Sequence, residues 1–221
     1  MPRVERGLAD NAIYHVINRG NGRQEVFHKE EDYEAFLLIM QEAKTRYSVK
    51  VFAYCLMPNH FHLAVKPAAG GELSRWMQWL MTSHVRRYHR HYGSSGHVWQ
   101  GRYKSFMVQE DSHLLVVLRY IEGNPVRAKL VQTATEWQWS SHNETLGKAQ
   151  RMLTDKVPLE LPEEWDRYVD TPFYETDLDC LRRSVNRQAP FGDAEWQMEK
   201  CKEFGLESTL NRRGRPRKEE K

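Results

Sequence analysis

The chain has 221 residues and a formal net charge of +3, long enough for one domain with a substantial appendage, or two small ones, around a real core. No apolar run approaches a membrane span, and the opening MPRVERGLADN does not read as a signal peptide. Cys55, Cys180 and Cys201 are odd in number and lack paired spacing, which argues against a disulfide framework or a zinc knuckle and makes a reducing cytoplasm the expected compartment.

Residues 12–18, AIYHVIN, alternate as a first strand, with Ile13, His15 and Ile17 on one face and Tyr14 and Val16 on the other. A glycine turn with Arg19 and Arg23 follows. Over 30–47, Tyr33, Phe36, Leu37, Met40 and Ala43 recur at helical spacing, and Asp32 suits the start of that helix. Residues 49–56 read as a second strand. Pro58-Asn59 then turns the chain back as an antiparallel hairpin into YCLMPNHFHLAVKP (54–67). In that third strand His60 and His62 share a face, while Phe61, Leu63 and Val65 form an apolar one.

A second helix is expected over 72–92, with Leu73, Trp76, Met77, Leu80, Val85 and Tyr88 on its buried stripe and Gly93 ending it. A fourth strand near 103–109 and a third helix over 112–123, capped by Asp111-Ser112 and stopped before Pro125, complete a β-α-β-β-α-β-α order. That order is an α+β, ferredoxin-like antiparallel sheet with an added helix. Beyond residue 135 the signals weaken. WQWSSH (137–142) reads as a packed turn or short helix, 151–175 as irregular, and 176–188 and 193–204 as short helices. The division expected is a domain over 1–145 and an extension over 146–221.

Charge is unevenly spread. No Asp or Glu falls between Glu72 and Glu110, an interval that holds Arg75, Arg86, Arg87, Arg90, Arg102 and Lys104 with four histidines, His84 among them. A polyanion partner suits this field; a solvated helix face is the plainer explanation.

Two imidazoles on one strand face make a pair of metal ligands or a surface strand that happens to carry histidines. Ala64 stands where a histidine-triad hydrolase needs a third histidine, and Lys66-Pro67 where a metallo-β-lactamase-like site needs Asp-His. Any site must therefore be completed from elsewhere in the chain. In RYIEGNPVRAKLV (119–131), Tyr120 and Asn124 lie four apart on one helix face. Each has a structural explanation, as a packing tyrosine and as a helix cap.

The segments YHVINRGNGRQEVF (14–27), AYCLMPNHFHLAVKP (53–67), GHVWQGRYKS (96–105) and RYIEGNPVRAKLV (119–131) together resemble the REP-associated tyrosine transposases, a group of single-tyrosine HUH nucleases. The likeness covers roughly residues 10–145. It implies the same ferredoxin-like fold, with His60, His62 and Asn124 as ligands of Mg²⁺ or Mn²⁺ and Tyr120 as nucleophile. Gly123 departs from the larger residue common there and could loosen the aim of Asn124. The resemblance further implies cleavage of single-stranded DNA at repeat-associated hairpins through a 5′-phosphotyrosine, leaving a 3′-OH that can attack again.

Such a site needs a metal to make the phosphate more electrophilic, because a phenol is a weak nucleophile at its usual pKa of about 10. The acceptor of the phenol proton is not identified; His113, seven residues earlier, is one candidate. Arg19, Arg23, Arg86, Arg87, Arg90, Arg102 and Lys104 are candidate DNA contacts. Trp99 and Tyr103 either stack on bases or pack in the core. Arg213, Arg215 and Arg217 resemble an AT-hook core or form a non-selective basic tail. A monomer is favoured over a homodimer, in the cytoplasm and associated with the nucleoid. Rival readings are a hairpin-binding protein of weak catalysis, a relaxase-type HUH protein, and a metal-dependent phosphoesterase that has no use for Tyr120.

Overall fold

A computed structural model describes residues 7–211. Four strands, β1 (Ile13–Arg19), β2 (Val49–Met57), β3 (His60–Pro67) and β4 (Lys104–Val108), form one sheet in the order β2-β3-β1-β4. Every neighbouring pair is antiparallel. The β2–β3 hairpin closes at the Met57–His60 pair, so Pro58 and Asn59 make the two-residue turn. This is the ferredoxin-like order expected from the sequence.

Strand alternation sorts the side chains into two cores. On one face Tyr14, Val16, Tyr54, Leu56, Phe61, Leu63 and Val65 meet α1 (Glu30–Arg46) and α2 (Gly70–Tyr92). Phe36, Met40 and Ala43 of α1 are buried there, as are Leu73, Trp76, Met77 and Leu80 of α2. Gly93 ends α2 in the left-handed conformation, φ 59°, where a side chain would be strained.

The opposite face, with Ile13, Ala53, Cys55, Ala64, Phe106 and Val108, is covered by α3 (Ser112–Glu122). Leu114, Val117, Leu118 and Ile121 of α3 are buried, and Asp111 caps it by accepting the His113 N–H at 2.8 Å. Both faces of the sheet are thus covered, and β3 is buried along most of its length. The histidine face of β3 lies under α3.

The chain continues through α4 (Asn124–Arg127), α5 (His142–Thr145), α6 (Trp165–Asp170), α7 (Glu175–Arg187) and α8 (Ala194–Phe204). α7 and α8 match the short helices expected over 176–188 and 193–204, and α5 starts where the turn expected over 137–142 ends; α4 and α6 add helices that the sequence pattern does not indicate, α6 inside the stretch expected to be irregular. Residues beyond 145 pack against both cores, Cys201 and Leu206 on the α1/α2 side and Trp165, Val169, Leu181 and Phe191 on the α3 side. No helix among the described residues is long and apolar enough to cross a membrane.

Candidate active site

The β1–β3 register pairs Ile17 with His62 and His15 with Ala64. His15 and His62 are therefore diagonal neighbours on the α3 face, within side-chain reach. His15 Nε2 and His62 Nδ1 lie 2.9 Å apart, both rings buried. His60, two residues along, has its ring centroid 5.1 Å from that of His62. Its Nδ1 donates to Asn59 Oδ1 at 2.6 Å. Each of the paired rings is held through Nδ1, so each has Nε2 left for another partner.

Burial is the main reason these imidazoles resist protonation. It pulls His60 down to about 4, helped by Arg19, and His15 to about 3, helped by Arg127. His62 is held well below the ordinary histidine value by burial, then by the His15 and His60 rings against it and by Arg127 and Arg19. Neutral imidazole is the form that binds a metal.

α3 lays Tyr120 over this pair. The Tyr120 ring stands edge-on to His62 at 5.6 Å and to His15 at 5.9 Å between centroids. Arg127 covers it, with the guanidinium carbon 4.0 Å from the ring centroid. Its Nη2 donates to the Tyr120 carbonyl at 2.5 Å. Asn124 follows one helical turn later, buried, as the first residue of α4; Gly123 is the cap of α3. The Asn124 Nδ2 is buried without a hydrogen-bond partner.

No three His, Cys, Asp or Glu side chains converge as a metal site among the described residues, so an ion at the paired histidines would need the Asn124 amide or another kind of donor. Two Nε2 atoms turned away from their Nδ1 anchors suit a divalent ion; Asn124 would have to add its amide oxygen, because the unpartnered Nδ2 is a hydrogen-bond donor and not a metal ligand. Gly123 has a structural reason: a Cβ there would stand 3.0 Å from both the Arg119 and the Val169 carbonyl oxygens. Its small size lets α6 approach the end of α3.

The remaining candidates separate by layer. Arg19 pairs with His60 in register, and Lys104 pairs with Ile17, which puts both at the histidine end of the sheet. Arg23 and Arg102 are exposed in the loops adjoining β1 and β4. Arg86 and Arg90 are exposed on α2, in the layer opposite Tyr120. Arg87 bonds Asp32 at 3.2 Å and the Glu31 carbonyl at 3.0 Å, tying α2 to α1. Trp99 and Tyr103 are buried at 5% and 7% exposure in the α1/α2 core, a packing position that does not present a ring face to bases. His84 is buried beside Trp99, so it does not add to a basic surface. His113 bonds Asp111 at the far end of α3, about 10 Å along the axis from Tyr120. Arg213, Arg215 and Arg217 lie outside the described residues.

Sequence reasoning overlooked two side chains. In the sequence His15 stands only as a strand position, and Arg127 only as part of a motif. The signal for His15 was its face, shared with Ile13 and Ile17 on a strand adjacent to the histidine pair. Arg127 carried none beyond its spacing from Tyr120.

Fold and matched segment together define the class. Residues 9–124, more than half of the chain, match the family described as "Transposase IS200 like", and the chain belongs to that family. Among curated proteins, one from Haemophilus influenzae named as a candidate REP-associated tyrosine transposase is 27% identical over 106 residues, 43% of this chain and 60% of its own length. The chain thus spans about three-fifths of that relative. A solved structure of a REP-associated tyrosine transposase bound to a REP hairpin aligns over 78% of this chain and 95% of its own, with TM-score 0.58 and 16% identity. That likeness establishes the shared fold.

Proposed function

We propose that the protein is a metal-dependent, single-tyrosine DNA endonuclease and strand transferase acting on single-stranded hairpin DNA. The observation that carries this reading is the meeting of Tyr120 with His62 and His15 across two elements far apart in sequence. Family membership and the names of the relatives support it.

In this reading the Tyr120 phenol oxygen attacks a phosphodiester phosphorus. An O–P bond to tyrosine forms as the bond to the 3′ oxygen breaks, and that oxygen leaves with a proton as a 3′-OH. The 5′ end stays on the enzyme, and the bond energy is kept for a later attack by a 3′-OH. His60, His62 and Asn124 would hold Mg²⁺ or Mn²⁺, which when bound supplies Lewis-acid polarisation of the phosphate. His15 and Asn59 keep the two imidazoles turned with Nε2 outward. Arg127 limits the rotation of the tyrosine ring and brings positive charge beside the site. Arg19, Arg23, Arg102 and Lys104 at the same end of the sheet would contact backbone phosphates.

The test is a cleavage assay with single-stranded hairpin DNA from the flanks of the gene, with Mn²⁺ or Mg²⁺, resolved on a denaturing protein gel. A DNA-linked protein band that disappears with chelator and in Tyr120→Phe is expected. Metal-dependent hydrolysis of small phosphodiesters that survives Tyr120→Phe would point instead to a phosphoesterase. Tight hairpin binding with no linked band in either metal would leave a binding protein.

A further inference from the structure

α6 and the residues directly after it grip the tyrosine-bearing end of α3, although they lie outside the matched residues 9–124. Trp165 Nε1 donates to Glu122 Oε2 at 2.8 Å. The Val169 carbonyl closes on Gly123. Arg119 Nη2 donates to the Thr171 and Pro172 carbonyls at 2.6 and 3.2 Å. The Arg119 guanidinium carbon lies 4.4 Å from the Tyr168 ring centroid and 4.0 Å from that of Phe173. Phe173 is thereby delivered to the nucleophile: its ring is edge-on to Tyr120 at 6.3 Å, and the Arg127 guanidinium carbon is 5.5 Å from its centroid.

One of the Arg127 nitrogens, Nη1, is buried without a partner. The placement of Arg127 leans on the Tyr120 carbonyl and on aromatic faces. The face of Tyr120 and the ring of Phe173 both attract a guanidinium through their quadrupoles. Tyr120 is in turn enclosed by His15 and His62 at its edges, Arg127 on its face and Phe173 beside it.

We infer that the C-terminal extension completes the nucleophile's seat within the same chain, with Phe173 as a positioning residue that keeps Arg127 stacked on Tyr120. The inference deepens the proposed function and rests on it for its kinetic consequence. Phe173 does not touch the phosphate in this account; it acts through the direction of the tyrosine ring. A leucine has comparable bulk but no quadrupole, so it keeps the packing and removes the cation–π contacts of Phe173 with both Arg119 and Arg127. Phe173→Leu should slow the reaction, and Phe173→Tyr should restore it.

The experiment uses the full chain and has two readouts. Single-turnover formation of the protein–DNA adduct on a flank-derived hairpin oligonucleotide with Mn²⁺ should fall ~10- to 100-fold in Phe173→Leu, the cost of a misdirected reacting group. Affinity for the oligonucleotide should stay unchanged, and Phe173→Tyr should react at the parental rate. Separately, ring-¹³C tyrosine spectra, with Tyr120 assigned from Tyr120→Phe, should show its resonance displaced in Phe173→Leu without DNA. A parental rate in Phe173→Leu, a faster one, or an unmoved Tyr120 resonance would overturn the inference. An adduct that persists in Tyr120→Phe would instead defeat the nucleophile assignment, and the resonance would still judge whether Phe173 seats Tyr120.

Discussion

Glu122 offers the sharpest test of how α3 is held. Its carboxylate is 1% exposed and accepts four hydrogen bonds. Ser141 Oγ and Thr145 Oγ1 reach Oε1 at 2.8 and 2.6 Å. His142 Nδ1 and Trp165 Nε1 each reach Oε2 at 2.8 Å. Glu122→Ala removes the acceptor and keeps the donors. Thr145 also bonds the Ser141 carbonyl, so its hydroxyl keeps an acceptor, while the Ser141 hydroxyl keeps the Tyr54 N–H as a partner. The His142 and Trp165 N–H groups have none in this pocket. Two stranded donors at about 1–3 kcal/mol each, with the lost methylene burial at about 0.8 kcal/mol per group, give about 5 kcal/mol. At this chain length about 1 kcal/mol moves Tm by roughly 2–4 °C, so a fall of roughly 10–20 °C is expected by calorimetry, and a loss of about 5 kcal/mol by urea titration. Glu122→Gln should cost about 1–2 kcal/mol, because its oxygen can face the two nitrogens while the hydroxyls rotate to accept from its amide. A loss below about 1 kcal/mol in Glu122→Ala, or equal losses in both variants, would refute the argument.

Other outcomes follow from single contacts. His84 is buried and its pKa is lowered to about 3 by burial and then by Arg87, against the opposing Asp32. The unfolded chain therefore binds a proton below pH 6.5 that the folded chain does not, and stability falls as pH drops from 6.5 toward 3. The slope from this one group is about 1.4 kcal/mol per pH unit, and His84→Gln should flatten the stability–pH curve between pH 6 and 4.5; an unchanged slope would show that His84 is not held neutral. Gly123→Ala would place a methyl 3.0 Å from two backbone oxygens. It should cost about 1 kcal/mol net, overpacking of about 1–3 outweighing alanine's helical gain of about 0.5–1. A stabilised variant in thermal melts would mean that α6 yields easily. His15→Leu removes the partner of His62 Nδ1 and should weaken Mn²⁺ binding roughly 10- to 100-fold in titration calorimetry; unaltered affinity would separate His15 from the metal site.

Much of the fold was legible because its signals are local. Alternation placed His60 and His62 on one face of β3, helical spacing placed Tyr120 and Asn124 one turn apart, and turn residues marked the Pro58-Asn59 hairpin. These depend only on backbone periodicity, which neighbouring residues set for themselves. The family resemblance added what periodicity could not, that the helix and the strand belong to one site.

Burial of polar groups was not legible in this way, because it depends on which distant segments meet. His84, Trp99 and Tyr103 sit in a stretch of sequence that reads as a basic, aromatic surface, yet α2 and the loop before β4 turn all three into the core. His15 gains its meaning from the β1–β3 register alone, which sets it diagonally against His62. The tertiary structure also decided the role of the segment read as irregular. The contacts of Trp165, Val169, Thr171 and Phe173 with α3 span about fifty residues, and no local pattern encodes a contact at that separation. The sequence by itself determined the strands, most of the helices and the residue types of the site; packing between remote segments decided which of those residues face one another.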